Sequence, residues 1–242
     1  AGLMSGIVAL VAFGALTEVA GTVLVAGEFA SLLRRRGGRQ KGNDPALLAA
    51  LAALAVAATA LPLAYLAQLL AALQTLPEGL QFSYLLTFYG VLVPIALAMT
   101  GRLFPLYFRI RLPERRGLTV SILLGALGLY LRVAGLALAW YDGVRLGSTL
   151  QAAGVLGAIV ALRLLEPREK RAAAARNLWR DPTAWMVHIA YASLASCALT
   201  LVRAVWSDWV PLQSLEWHLL GVGYVTCLIA GVGTHLLSGF AR

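Results

Sequence analysis

Acidic side chains are scarce in this chain: 11 Asp and Glu stand against 20 Lys and Arg, and only 13% of residues are charged. A water-soluble domain carries about a quarter charged residues, so this surface is too poor in charge to face water throughout. Cysteine is nearly absent. Cys197 and Cys227 both fall inside apolar stretches, which excludes a secretory disulfide framework, and no Cys-x-x-Cys pair exists for zinc or iron–sulfur ligation. There is no H-E-x-x-H, G-x-S-x-G, P-loop or carboxylate pair, so hydrolytic and nucleotide chemistry find no support. Whether the protein is an enzyme stays open at this level. Linkers rich in Gly/Ser or Pro are missing too, as is any polar segment long enough for a separate soluble domain, so residues 1–242 read as one domain.

What the chain has instead is apolar length. Hydrophobic residues make up 60% of it, and the mean hydropathy is +0.79. Residues 4–33, 46–74, 82–108, 118–141, 147–165, 184–206 and 216–240 are each predominantly apolar. At about 1.5 Å per residue each can cross roughly 30 Å of hydrocarbon, given modest tilt or thinning. The loop after the first stretch carries Arg34, Arg35, Arg36, Arg39 and Lys41; the loop after the third carries Arg109, Arg111, Arg115 and Arg116. The loop after the fifth carries Arg168, Lys170, Arg171, Arg176 and Arg180, whereas the loops between these hold a single Arg, Arg145. Basic loops stay cytoplasmic. The expectation is an all-α, polytopic transmembrane helix bundle of about seven spans, N-terminus outside and C-terminus cytoplasmic, in a bacterial cytoplasmic (inner) membrane.

The charge of +9 would suggest nucleic acid in a soluble protein. Here the cations sit in short cytoplasmic loops, where topology and anionic lipid headgroups account for them, so membrane lipid is the expected partner and nucleic acid is not. Trp140, Tyr141, Trp206, Trp209 and Trp217 mark one interface, Trp179 and Trp185 the other. Pro62 and Pro94 remove backbone donors inside the second and third spans and predict kinks there. Spans three and seven align weakly at an offset of 133 residues, Gly223 over Gly90 and His235 over Arg102, which suggests a repeat of 82–108 in 216–240. The chain begins at Ala1 and stops at Arg242 directly after a span, as a processed chain or a piece of a longer one would.

Ionisable groups inside a bilayer are costly, and each needs a partner or a function. Glu18 lies on the stripe Gly14–Glu18–Gly21–Val25–Glu28 of the first span, and Arg132 sits at comparable depth in the fourth. A Glu18–Arg132 ion pair would cancel two buried charges at once; a proton path through Glu18 is the other reading. The histidines are His188, His218 and His235. His188 and His235 fall near one depth on adjacent antiparallel spans, the arrangement of a bis-imidazole haem b site, with Gly231, Gly233, Ala192 and Ala195 leaving room for the macrocycle. Arg102 could neutralise a propionate. His218, about 25 Å from His235 along a helix, cannot share that site and would serve the outer surface or a site completed by another subunit. The alternative for each histidine is a hydrogen bond at a wet interface.

The segment LEWHLLGVGYVTCLIAGVGTHLLSGFAR at 215–242 resembles the NnrS family pattern of H-A-L-x-x-G, a helix rich in small residues, and a G-(V/M)-x-(R/H) exit. LTFYGVLVPIALAMTGRLFPLYFRIRLPERRG at 86–117 is similar to the family's other glycine-to-R-L-x-P helix, and RDPTAWMVHIAYASLASCALTLVRAVW at 180–206 follows more loosely. By motif position His218 matches the family histidine, and His235 stands where the family has an arginine. The resemblance implies a polytopic bacterial membrane protein of usually about twelve spans, associated with haem and copper and with the response to nitric oxide. The expected function is therefore a haem-associated redox or structural subunit of a bacterial membrane complex, working with other membrane-protein subunits. The alternative is a small-solute transporter or a cofactor-free scaffold subunit.

Overall fold

The computed structural model describes residues 45–76, 78–108, 110–166, 181–207 and 211–240, together with scattered positions between 6 and 24. Those described are all-helical in their regular structure, and six helices are long and apolar enough to cross a membrane. The described positions of the first apolar stretch are helical as well, with Thr17 returning its hydroxyl to the Phe13 and Gly14 carbonyls, and Leu10, Phe13, Leu16 and Leu24 exposed. The chain divides into two compact units, Ala1–Met99 and Thr100–Arg242.

In the first unit, α1 (Pro45–Ala72) is a continuous helix with Pro62 inside it. Ala49, Ala53, Ala57, Ala60 and Ala64 are all buried along it, a stripe of methyl groups that lets a neighbouring backbone come close. The chain turns at Gln74, which takes a left-handed conformation (φ 56°), and re-enters as α2 (Gly79–Tyr107). Gly79 needs its missing Cβ: one would collide with the Ala67 carbonyl of α1. Within α2, Leu86–Leu92 is wound as a π-helix. Pro94, two residues past its end, has no N–H to donate to the preceding turn, which favours the wider winding before it. The seam between the two units falls inside α2, so its last turns belong to the second.

The second unit holds α3 (Arg115–Ala137), α4 (Tyr141–Leu162), α5 (Pro182–Ser207) and α6 (211–240). α3 starts where Glu114 accepts the Gly117 amide at 2.8 Å, and it pairs with α4 along a glycine seam. A Cβ on Gly128 would meet the Gln151 backbone, one on Gly147 the Arg132 backbone, and one on Gly154 that of Gly125. Ala139 (φ 51°) makes the left-handed corner between α3 and α4, and Arg163 (φ 52°) is the left-handed residue that ends α4. At one end the segment after α2 is fastened to the end of α4 by Arg111 N to Glu166 O (2.9 Å), Glu114 N to Ala161 O (2.8 Å) and an Arg111–Glu166 ion pair (3.0 Å). At the other end the Arg145 side chain donates to the Val205 carbonyl (3.3 Å) and lies over the Trp206 ring, joining α4 to α5.

Two boundaries differ from the hydropathy reading. The fifth apolar stretch was expected at 147–165, but its helix runs Tyr141–Leu162 and absorbs the loop 142–146. Asp142 in its first turn complements the helix dipole, so polar residues extend the helix instead of ending it. The seventh begins at Pro211, the favoured first position of a helix, five residues ahead of the apolar run. α6 is also composite. An α segment, Pro211–His218, passes into a π segment, Leu219–Thr226, and returns to α at Cys227–Phe240. The π segments of α2 and α6 start 133 residues apart, the offset at which the two sequences align.

Candidate functional site

The site that the fold builds around an expected residue is at the start of α5. Pro182 opens the helix, and the Asp181 carboxylate accepts from the Thr183 amide (2.8 Å) and hydroxyl (2.6 Å), fixing the first turn. This places His188 on the second turn, about 9 Å along the axis. Its Nδ1 lies 2.6 Å from the Ala184 carbonyl oxygen. A carbonyl only accepts, so Nδ1 donates, and in the neutral ring this leaves the lone pair on Nε2. Metal-bound histidines are held by the same kind of bond at the ring nitrogen away from the metal.

His188 borders a cleft of about 560 Å³ between the last turn of α4 and one face of α5. Apolar side chains wall it, Val160 and Leu165 from the α4 side and Trp185 and Ile189 from α5, while Ala192 and Ala195 leave it deep. Arg163 and Glu166 also line it. The volume lies within the range of small-molecule and cofactor pockets. Behind the cleft, His188 meets Phe104 and Phe108 from the end of α2. One turn further on, the Tyr191 hydroxyl donates to Thr100 Oγ1 (2.6 Å), and its ring stacks edge-on against Phe104 and Tyr224.

The other expected residues lie elsewhere. α6 packs on α5 where a Cβ at Gly231 would touch Met186 and Val187 and the Thr183 carbonyl. That face of α5 is turned away from Ile189, Ala192 and Ala195, which share the cleft with His188. His235 is on α6 one turn past Gly231, and its side chain lies outside the described residues. Gly233, expected to leave room beside a macrocycle, faces open space. Arg102 is exposed on α2 and does not line the cleft. His218 is exposed near the start of α6, its Nδ1 2.7 Å from the Ser214 carbonyl.

Arg132 is buried, as its position in the fourth span required, but its guanidinium makes a two-pronged pair with Glu216, at 3.1 and 3.2 Å. The pair had been expected with Glu18, which lies outside the described residues. Glu216 itself is 1% exposed, and the Cys197 thiol donates to its backbone carbonyl at 3.5 Å. Sequence reasoning passed over Glu216 because it stands at the edge of an apolar run, where a carboxylate ordinarily reaches water. Trp185 was read as an interface residue, and Arg163, near the end of the fifth apolar stretch, was not singled out. Among the described residues no three His, Cys, Asp or Glu side chains converge as a metal cage.

A family model described as "NnrS protein" matches residues 1–239, nearly the whole chain. No curated protein matches the chain, and no solved structure does.

Proposed function

Because the chain belongs to the NnrS family, we propose that this membrane protein is haem-associated and holds a b-type haem in the cleft beside α5, with His188 as an axial ligand. The observation that carries the reading is the Nδ1 bond of His188 to Ala184, which fixes one tautomer at the wall of a large apolar cleft. Haem bound there supplies a redox-active iron, tuned by its axial ligand and its surroundings. The chain's own residues do the rest. The Ala184 carbonyl orients the imidazole and raises its basicity. Trp185, Ile189 and Val160, all exposed at the rim, give the cleft an apolar border. Arg163, on the cleft wall, offers a cation to a propionate carboxylate, the part first assigned to Arg102. Glu166 is already paired with Arg111 and leaves that cation available to a guest.

The two-histidine version, His188 with His235, needs α6 to present His235 to the cleft. The packing of Gly231 on the other face of α5 favours a single protein ligand from α5. Among the described residues the cleft offers one imidazole, whereas a copper centre wants several converging ligands. The setting of this activity is a redox or structural subunit of a complex in the bacterial inner membrane, in contact with lipid and other membrane subunits.

The test is optical. The protein purified after haem-replete expression should show a Soret band and a reducible α-band. His188→Ala should abolish that low-spin signal, and His218→Ala should preserve it. Loss on His235→Ala as well as on His188→Ala would reinstate the paired site. Loss on His218→Ala alone would move the haem to the other end of α6, at the histidine that matches the family motif. Full retention in His188→Ala would sink the assignment.

A further inference from the structure

The interior of the second unit contains a layer of polar side chains that the haem reading does not use. Gln151 on α4 is 1% exposed, and neither its amide oxygen nor its amide nitrogen has a hydrogen-bond partner; the Ser148 hydroxyl, 0% exposed and one turn earlier, has none either. Both positions belong to the stretch of α4 that the glycine seam presses against α3: Gly147 rests on the Arg132 backbone, and the Gln151 backbone rests on Gly128. Arg132 sends its guanidinium to Glu216 of α6, and Cys197 of α5 donates to the Glu216 carbonyl. Four helices thus contribute polar groups to one stretch of the interior of the second unit.

Burying a polar group without a partner is costly, and in a membrane core no solvent is at hand to relieve it. Three such atoms on adjacent turns of one helix do not arise where apolar residues would pack as well. Arg132 and Glu216 cancel each other's charge, so the layer attracts no ion. Gln151 offers two donors and an acceptor, and Ser148 one donor and an acceptor. A guest that satisfies them must be neutral, small and able both to donate and to accept.

We infer that this layer is a binding site for water, held between Gln151 and Ser148 at the level of the Arg132–Glu216 pair. A buried water typically makes about three hydrogen bonds, which these side chains supply.

Two measurements on the full-length protein in lipid nanodiscs decide it. Gln151→Met and Ser148→Ala remove the polar atoms with little change of shape. If water is held there, each variant loses a bonded group and its Tm falls, by about 2–4 °C. If the atoms are simply unsatisfied, replacing them with apolar groups raises Tm, and a rise or no change in both variants overturns the proposal. The second measurement needs no variant. A density map of the wild-type protein should show a peak within hydrogen-bond distance of the Gln151 amide and the Ser148 hydroxyl, and a dry contact there overturns the proposal equally.

Discussion

At the scale of single residues, the energetics concentrate on Arg132. Its two bonds to Glu216 cross 84 positions of sequence and lie in the interior of the second unit. Breaking such a pair leaves one buried charge uncompensated, at a cost of about 3–5 kcal/mol, whereas replacing both partners by apolar groups is often neutral. Arg132→Met and Glu216→Leu should therefore each lower the denaturation midpoint strongly, and the double variant should recover most of the loss. Chemical unfolding in detergent micelles reads this out, and a double variant no better than the singles would mean the pair contributes nothing as a unit. The need for a partner was legible in the sequence, because an arginine that deep in an apolar span is intolerable alone. Which carboxylate answers it was not. Spacing along one helix does not say which helix stands opposite.

At the scale of elements, glycine separates the seam of α3 and α4 from faces that meet nothing. Gly154 on α4 and Gly128 on α3 have neighbouring backbone where a side chain would be, so Gly154→Val must push the two helices apart. The cost expected is that of an overpacked core, about 1–3 kcal/mol or more. Gly233 has nothing within 4 Å of its Cβ position, and Gly233→Ala should be neutral or stabilising by up to about 1 kcal/mol from helix propensity. Thermal unfolding of the two variants side by side checks the contrast, and equal effects would contradict the seam. The apolar runs gave these helices their approximate positions. They misjudged the starts of α4 and α6 because Asp142 at a helix N-terminus and Pro211 at a first turn extend helices through polar residues. The π segments have a partial signal, Pro94 in α2, and none that we can name in α6 beyond its glycines.

For the whole molecule, the charge alternation of the loops makes a claim that labelling can test. With the basic loops cytoplasmic, cysteines introduced at Gly38 and Ala174 should react with a membrane-impermeant maleimide only after the membrane is opened. Cysteines at Thr75 and Asp142, both exposed beside helix starts or ends, should react in intact cells. Reaction of Thr75→Cys solely after permeabilisation would invert the scheme. The sequence by itself determined that this is a helical membrane protein of the NnrS family, because insertion of a segment into hydrocarbon depends on that segment's own residues and family motifs are local. It also singled out His188 and Arg132, since polar groups in apolar runs stand out one by one. The tertiary structure decided the rest. It gave Arg132 to Glu216, set His188 on the cleft between the end of α4 and α5, and buried the Gln151 and Ser148 side chains without hydrogen-bond partners. Those outcomes depend on how each helix is rotated about its axis and which neighbour it meets. Close packing between helices sets both, and no run of residues read alone contains them.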